Sequence, residues 1–133
     1  MPHLRGLVDD DYGAARGELR EPLMYLAGHC DPALIQMDEQ MKGTTTRGEL
    51  RDAGAVGKMI RMGGVPTLVL VGQYDKLLIH PPDSDCFDVT RRWAEASPSH
   101  FAYEVVVDSA HNLNLHYSAH EAFTAMEGWL GQA

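Results

Sequence analysis

Apolar and β-branched residues run without interruption from position 66 to position 71, between turn-forming residues on both sides. A short run of this kind is typical of a strand that is buried on both faces, as in a parallel sheet. Pro66 suits the first position of such a strand, where its missing N–H costs little, and Gly72 is expected to end it. Asp75 follows on the loop at the carboxyl end, where open α/β sheets gather ligands and catalytic groups. Asp75 is therefore a candidate functional residue, the alternative being a turn residue or a helix cap.

The pattern after this strand predicts a helix over residues 85–96, capped by Asp83 or Ser84, and then a second strand over residues 102–107. We expect the helix to bury an apolar face made of Cys86, Val89, Trp93 and Ala96. A strand, a helix and a second strand with short links form a βαβ unit, so the strands should be parallel and the crossover right-handed. A last helix is predicted over residues 118–130, with an apolar stripe made of Ala119, Ala122, Phe123, Met126, Trp129 and Leu130.

Helical patterns dominate the first half of the chain. We interpret residues 1–21 as a polar, acidic lead-in with one short helix at residues 12–19. Residues 22–31 superficially repeat the central strand with its acidic residue, which would make Asp31 a second candidate acid. Their Leu, Met and Ala residues favour helix over strand, however. We therefore expect Asp31 to be the N-cap of a helix whose first residue is Pro32.

This helix is expected to end at Gly43, and a further helix is predicted to begin in the threonine run at positions 44–46. Thr46 and Glu49 have the spacing of a capping box at that start. Methionine-rich helices of this kind can pack adaptably over a pocket or serve as ordinary core helices. Both interpretations stay open on the sequence.

Length, composition and charge restrict the class of protein. With 133 residues, 44% of them hydrophobic, the chain suits one soluble globular domain. The net charge of −8 disfavours binding to nucleic acid or to anionic membranes. Cys30 and Cys86 form no disulfide framework and no metal-ligand spacing, which fits a reducing, cytoplasmic compartment. The first residues lack the apolar core of a signal peptide, and no window approaches the length of a membrane span.

His111 lies on the loop that follows the second predicted strand. In a parallel pair, this loop and the loop of Asp75 leave the same edge of the sheet, so the two side chains can meet. A carboxylate that accepts a hydrogen bond from one imidazole nitrogen fixes the tautomer and stabilises the imidazolium. The other nitrogen is then a general base. Asp75 and His111 are therefore the candidate catalytic residues.

Residues 64–130 resemble the C-terminal part of an α/β-hydrolase. The matching segments are GVPTLVLVGQYD, with a Gly-x-x-Asp acid loop, and VVVDSAHNLNLHYSAHEAFTAMEGWL, with a histidine loop and a closing helix. The resemblance implies an α/β fold, namely a partial α/β-hydrolase fold in which a short parallel sheet with a βαβ unit has flanking helices. Residues 1–63 would be a lead-in and a helical, cap-like segment, and residues 64–133 would be the C-terminal part of the core. Asp75 would be the triad acid and His111 the base. We expect no cofactor and no metal.

The chain departs from the family pattern because it has no Gly-x-Ser-x-Gly nucleophile elbow. None of its serines has that context, namely Ser84, Ser97, Ser99, Ser109 and Ser118. The leading hypothesis is a hydrolase of an ester or related small molecule, in which this chain supplies acid and histidine and the nucleophile comes from elsewhere. The alternatives are a stand-alone Asp–His acid–base enzyme, such as a cyclase or dehydratase, and a non-catalytic pseudoenzyme or binding module.

Two parallel strands leave unpaired edges and are marginal by themselves in water. We therefore expect the sheet edge to pair with a second copy of the chain or with a complementary hydrolase chain, with no nucleic-acid or membrane partner.

A histidine pair, His116 and His120, and the thiol of Cys86 are further candidates for chemistry. His116 and His120 are four positions apart, but no further ligand completes a metal site, so we predict histidines that face solvent. Cys86 lies in the first turn of a predicted helix, which would lower the pKa of a nucleophilic thiol. Because Cys86 also belongs to the apolar stripe, a packed thiol is the preferred interpretation.

Overall fold

The computed structural model of the chain describes residues 12–13, 17–43, 45–46, 48–49, 52, 58–60, 62–79 and 85–131. The described residues form helices and strands, and the protein is therefore of the mixed α/β class. In chain order the elements are β1 (Tyr12–Gly13), α1 (Gly17–Met24), α2 (Pro32–Met41), β2 (Thr45–Thr46), β3 (Thr67–Gly72), α3 (Cys86–Ala96), β4 (Phe101–Val106), a 3₁₀ turn (Leu113–Leu115) and α4 (Ala119–Leu130). Described residues 48–49, 52, 58–60 and 62 are also helical.

Strands β3 and β4 form a parallel pair whose register runs from Thr67 opposite Phe101 to Gly72 opposite Val106. Helix α3 connects them, so the predicted parallel βαβ unit is confirmed. The core lies between this helix and the sheet, where Val71, Ile79, Cys86 and Val89 are buried and Val69, Trp93 and Val105 pack against them. Both strands therefore end at the same edge, which is the arrangement that brings their two carboxyl-terminal loops together.

Helix caps show where local sequence chemistry was decisive. Asp31 caps α2 as predicted, because its Oδ1 accepts a hydrogen bond of 2.8 Å from the backbone N–H of Ala33. Helix α3 is capped by Asp85, whose Oδ1 accepts hydrogen bonds from the backbone N–H groups of Phe87 and Asp88. The expected cap at Asp83 or Ser84 was therefore wrong, and both of those residues lie outside the described part of the chain.

The N-terminal half differs from the sequence prediction at two places. Tyr12–Gly13 is a strand, not the start of a helix, and it pairs antiparallel with Thr45–Thr46, where a second helix was expected to begin. The β-branched threonines suit extended backbone once a partner strand is present. That partner is distant in the sequence, so the local pattern gave no signal of the pairing. Helix α1 is correspondingly displaced to Gly17–Met24.

Helix α4 covers the sheet incompletely. Ala122 is buried, whereas Phe123 is 49% exposed and Leu130 is 65% exposed. A cavity of about 430 Å³ remains between this helix and β3, lined by Leu68, Leu70, Met126, Trp129 and Leu130. Among the helices that the structure describes, none has both the length and the apolar character needed to cross a membrane.

Candidate active site

Asp75 lies on a tight turn that leaves the end of β3. Its backbone N–H donates to the carbonyl of Gly72 at 3.0 Å, which turns the chain immediately after the strand. The carboxylate Oδ1 accepts hydrogen bonds of 2.9 Å from the backbone N–H groups of Leu77 and Leu78. The side chain is only 2% exposed, and these bonds compensate for the burial of its charge. Asp75 therefore has a structural role as a turn residue, as the alternative interpretation proposed. Its second carboxylate oxygen remains for another partner.

That partner is His111, because Asp75 Oδ2 lies 2.8 Å from His111 Nδ1. The prediction that the two side chains come within hydrogen-bonding reach is confirmed, while their catalytic role stays a prediction. A carboxylate can only accept, so Nδ1 carries the proton and Nε2 of the neutral ring has a free lone pair. The His111 side chain is 32% exposed, and no described residue forms a hydrogen bond with Nε2. The ring therefore presents a basic nitrogen away from the carboxylate.

Backbone hydrogen bonds join the histidine loop to the acid loop. Gln73 N–H donates to the Val106 carbonyl and Tyr74 N–H donates to the Ser109 carbonyl, both at 2.9 Å. Asp108 adopts a positive φ of 50°, and its N–H donates to the side-chain oxygen of Gln73. Ser109 is fully buried, and its hydroxyl donates to the Val106 carbonyl at 2.8 Å. The two loops are therefore joined by hydrogen bonds, and both the hydroxyl and the carbonyl of Ser109 take part in structural bonds.

His116 is buried, being 4% exposed, so the prediction that it faces solvent was wrong. Its Nε2 accepts hydrogen bonds of 3.0 Å from the backbone N–H groups of Leu26 and Ala110, and its Nδ1 donates to the Asn112 carbonyl at 2.8 Å. Burial lowers the pKa of His116, against the hydrogen bond to the Asn112 carbonyl, which raises it, and the nearby His29 acts in the same direction as burial. His116 lies in the loop before helix α4. Its burial therefore depends on how that loop packs, which helical periodicity does not predict. His120, on the helix itself, is exposed as predicted.

The segment between α1 and α2 lies against the histidine loop. Asn112 N–H donates to the Met24 carbonyl at 3.0 Å, and Tyr117 N–H donates to the His29 carbonyl at 2.9 Å. The Asn112 side chain also donates to the hydroxyl of buried Tyr25 at 2.9 Å. Tyr25 in turn donates to Asp38 on α2. Contacts with the N-terminal half of the chain therefore support the loop that carries the candidate base, which the sequence did not indicate.

A cavity of about 530 Å³ opens beside this segment, and residues of α1, α2 and the intervening turn line it. Tyr25, Cys30, Ile35 and Glu39 are among the lining residues, whereas Asp75 and His111 are not. Tyr25 is the link, because it borders the cavity and bonds to Asn112, the residue after His111. Tyr25 and Asn112 therefore link the wall of the cavity to the loop that carries His111.

Cys86, the remaining candidate nucleophile, is packed in the hydrophobic core. The Cys86 thiol is buried and lies 3.4 Å from the Gly72 carbonyl, and burial raises its pKa, opposite to what a reactive thiol needs. The interpretation of Cys86 as a packed thiol is therefore confirmed. Within the described part of the chain, no three His, Cys, Asp or Glu side chains are grouped so that they could hold a metal ion.

Comparisons with known proteins add no identification, since no family model, no curated protein and no solved structure matches the chain. The functional interpretation therefore depends on the residues and the geometry described above.

Proposed function

We propose that Asp75 and His111 are the acid and the general base of an α/β-hydrolase-type triad that acts on an ester or related small-molecule substrate. The observation that supports it is the contact of 2.8 Å between Asp75 Oδ2 and His111 Nδ1, made at the carboxyl edge of two parallel strands. In this proposal residues 64–133 are the C-terminal part of a partial α/β-hydrolase fold. Residues 1–63 are the lead-in and the cap-like segment.

The geometry suits one defined sequence of proton transfers. Nε2 of His111 removes the proton of a hydroxyl group as that group attacks the substrate carbonyl, and it later donates the proton to the leaving group. Asp75 stabilises the imidazolium that forms in between. Because Leu77 and Leu78 hold its other oxygen, the carboxylate need not reorganise during the reaction.

The nucleophile comes from outside the described residues. The hydroxyl of Ser109 bonds to Val106, that of Ser118 bonds to the Asp108 carbonyl, and that of Ser97 bonds to the hydroxyl of Tyr103. No described hydroxyl or thiol is bonded to His111. The same observation favours a second candidate function, a stand-alone Asp–His base that removes a proton from water or directly from the substrate.

The first experiment measures hydrolysis of p-nitrophenyl acetate by the pure chain. We expect little hydrolysis by the pure chain, because it supplies an acid and a base but no recognisable serine nucleophile. The residual rate, with water as the nucleophile, should fall by at least about 10²-fold in His111→Asn, because general-base catalysis contributes that much or more. His120→Asn is the matched control, since His120 is an exposed histidine on α4 and should leave the rate unchanged.

A fluorophosphonate probe, used on the same samples, asks whether the nucleophile is in this chain. We expect no labelled serine in the pure protein. Equal hydrolysis rates in wild type and His111→Asn would contradict the proposed base. Labelling of a serine that disappears in His111→Asn would contradict an external nucleophile.

The proposal also includes a partner, either a second copy or a complementary hydrolase chain. Among the described residues β3 and β4 form a sheet of two strands, and Phe123, Met126 and Leu130 are exposed on α4. Covering each large side chain is worth roughly 1.5–3 kcal/mol, so we expect the purified chain to self-associate. Sedimentation velocity measures this. A dispersed monomer with cooperative thermal unfolding would contradict the expectation.

A reducing, cytoplasmic compartment is part of the proposal. Cys30 and Cys86 are both buried and unpaired with each other, which is usual for proteins of reducing compartments.

A further inference from the structure

The imidazole of His116 bonds to the backbone on both sides of His111. On one side the N–H of Ala110 donates to His116 Nε2 at 3.0 Å, and on the other side His116 Nδ1 donates to the carbonyl of Asn112 at 2.8 Å. These are the residues immediately before and after His111 in the chain. The ring of His116 therefore holds the backbone on both sides of His111.

The same ring ties the histidine loop to the N-terminal half. Its Nε2 also accepts the N–H of Leu26 at 3.0 Å, and residues 30 and 116 form an isolated antiparallel bridge. One lone pair thus faces two N–H donors, while the proton resides on Nδ1. Only the neutral ring with this tautomer can make all three bonds, because a protonated ring has an N–H at both nitrogens and no acceptor.

We propose that His116 is a positioning residue for His111, and that protonation of His116 releases the backbone on both sides of His111 and separates His111 from Asp75. The inference rests on the proposed function of the Asp75–His111 pair and names the regulation of that same site. It is distinct from the titration of His111 itself. Protonation of His111 occurs at Nε2 and leaves its Nδ1–H bonded to Asp75.

The direction of the pH effect follows from burial. An unfolded histidine takes up its proton at about pH 6.5. In the folded chain burial lowers the pKa of His116, although its hydrogen bond to the Asn112 carbonyl acts in the opposite direction. The neutral ring therefore contributes its full stabilisation above about pH 6.5, and the contribution is lost as the pH falls below that value and through the folded pKa.

The segments around His116 carry other titratable side chains, namely Tyr25, His29, Cys30, Asp108, His111, His120 and Glu121. His29 and Asp108 approach each other at 4.0 Å, so their charges partly offset each other when His29 is protonated.

Nuclear magnetic resonance of the full chain with labelled histidine tests the proposal without reference to activity. The proton on His111 Nδ1, bonded to Asp75, should give a downfield signal. We expect it to persist while His116 is neutral and to disappear when His116 becomes protonated. Persistence of the signal after His116 is fully protonated would overturn the proposal.

Two substitutions sharpen the test. His116→Gln keeps an acceptor and a donor but does not titrate, so its His111 signal should survive to lower pH than in wild type. His116→Phe keeps a ring without hydrogen bonds, and it should lose the signal and at least about tenfold of the ester hydrolysis rate. His120→Gln should match wild type. An identical acid limit in His116→Gln and wild type would also overturn the proposal, even if His116→Phe failed to fold.

The two proposals can fail separately. If the His116 variants change the His111 signal but His111→Asn hydrolyses the ester like wild type, the positioning role holds and the catalytic role fails. If His111→Asn is inactive while the His111 signal ignores His116, the catalytic role holds and the positioning role fails.

Discussion

Replacing Gly72 with alanine should destabilise the protein by about 3 kcal/mol and disrupt the contact between Asp75 and His111. A Cβ atom at position 72 would lie 2.2 Å from the carbonyl oxygen of Ala110 and 2.8 Å from that of Ser109. Both atoms are backbone atoms of the histidine loop, so they cannot move aside as a flexible side chain would. The added methyl group therefore displaces the loop that carries the candidate base.

Urea unfolding measures the loss of stability, and the His111 Nδ1–H signal reports the contact. Gly128→Ala is the matched control, because Gly128 lies within α4 and an added Cβ there meets nothing within 4 Å. Alanine favours helix over glycine by up to about 1 kcal/mol, so this control should be as stable as wild type or more stable. Wild-type stability in Gly72→Ala would contradict the close approach of the two loops.

Two substitutions of Asp75 should separate its structural role from its chemical role. Asp75→Ala removes the buried carboxylate that accepts from the N–H groups of Leu77 and Leu78 and from His111 Nδ1. Hydrogen bonds to charged groups contribute about 1.5–3 kcal/mol each and are not additive, so we expect a loss of about 3 kcal/mol. Asp75→Asn retains an oxygen for Leu77 and Leu78 and should lose about 1 kcal/mol.

The same two variants should differ in stability but should lose similar amounts of hydrolysis rate. An amide does not hold the proton on His111 Nδ1 or stabilise the imidazolium, so both variants should lose at least about 10²-fold in rate. Urea unfolding and p-nitrophenyl acetate hydrolysis measure the two rankings. Asp31→Asn serves as control, since asparagine is as good an N-cap as aspartate and should change neither quantity. A near-wild-type rate in Asp75→Asn would show that the carboxylate acts only as a turn residue.

The amino-acid sequence determined the elements whose causes are local. The apolar run before Gly72 specified β3, the Asp31–Pro32 pair specified the start of α2, and the helical stripe specified α4. Period, cap and turn chemistry act within a few residues, so they can be seen in a single chain segment. The βαβ pattern then placed Asp75 and His111 at one edge of the sheet without any side-chain information.

Tertiary structure alone decided which distant segments meet. The pairing of Tyr12 with Thr46, the burial of His116 and its bond to Leu26 join segments that are far apart in the chain. No local pattern records such a contact, because a loop residue has neither the period of a helix nor that of a strand. The role of Gly72 depends on both local sequence and tertiary structure. Its type suggested the end of a strand, but only the packed loops show that the Ala110 carbonyl leaves no room there for a Cβ atom.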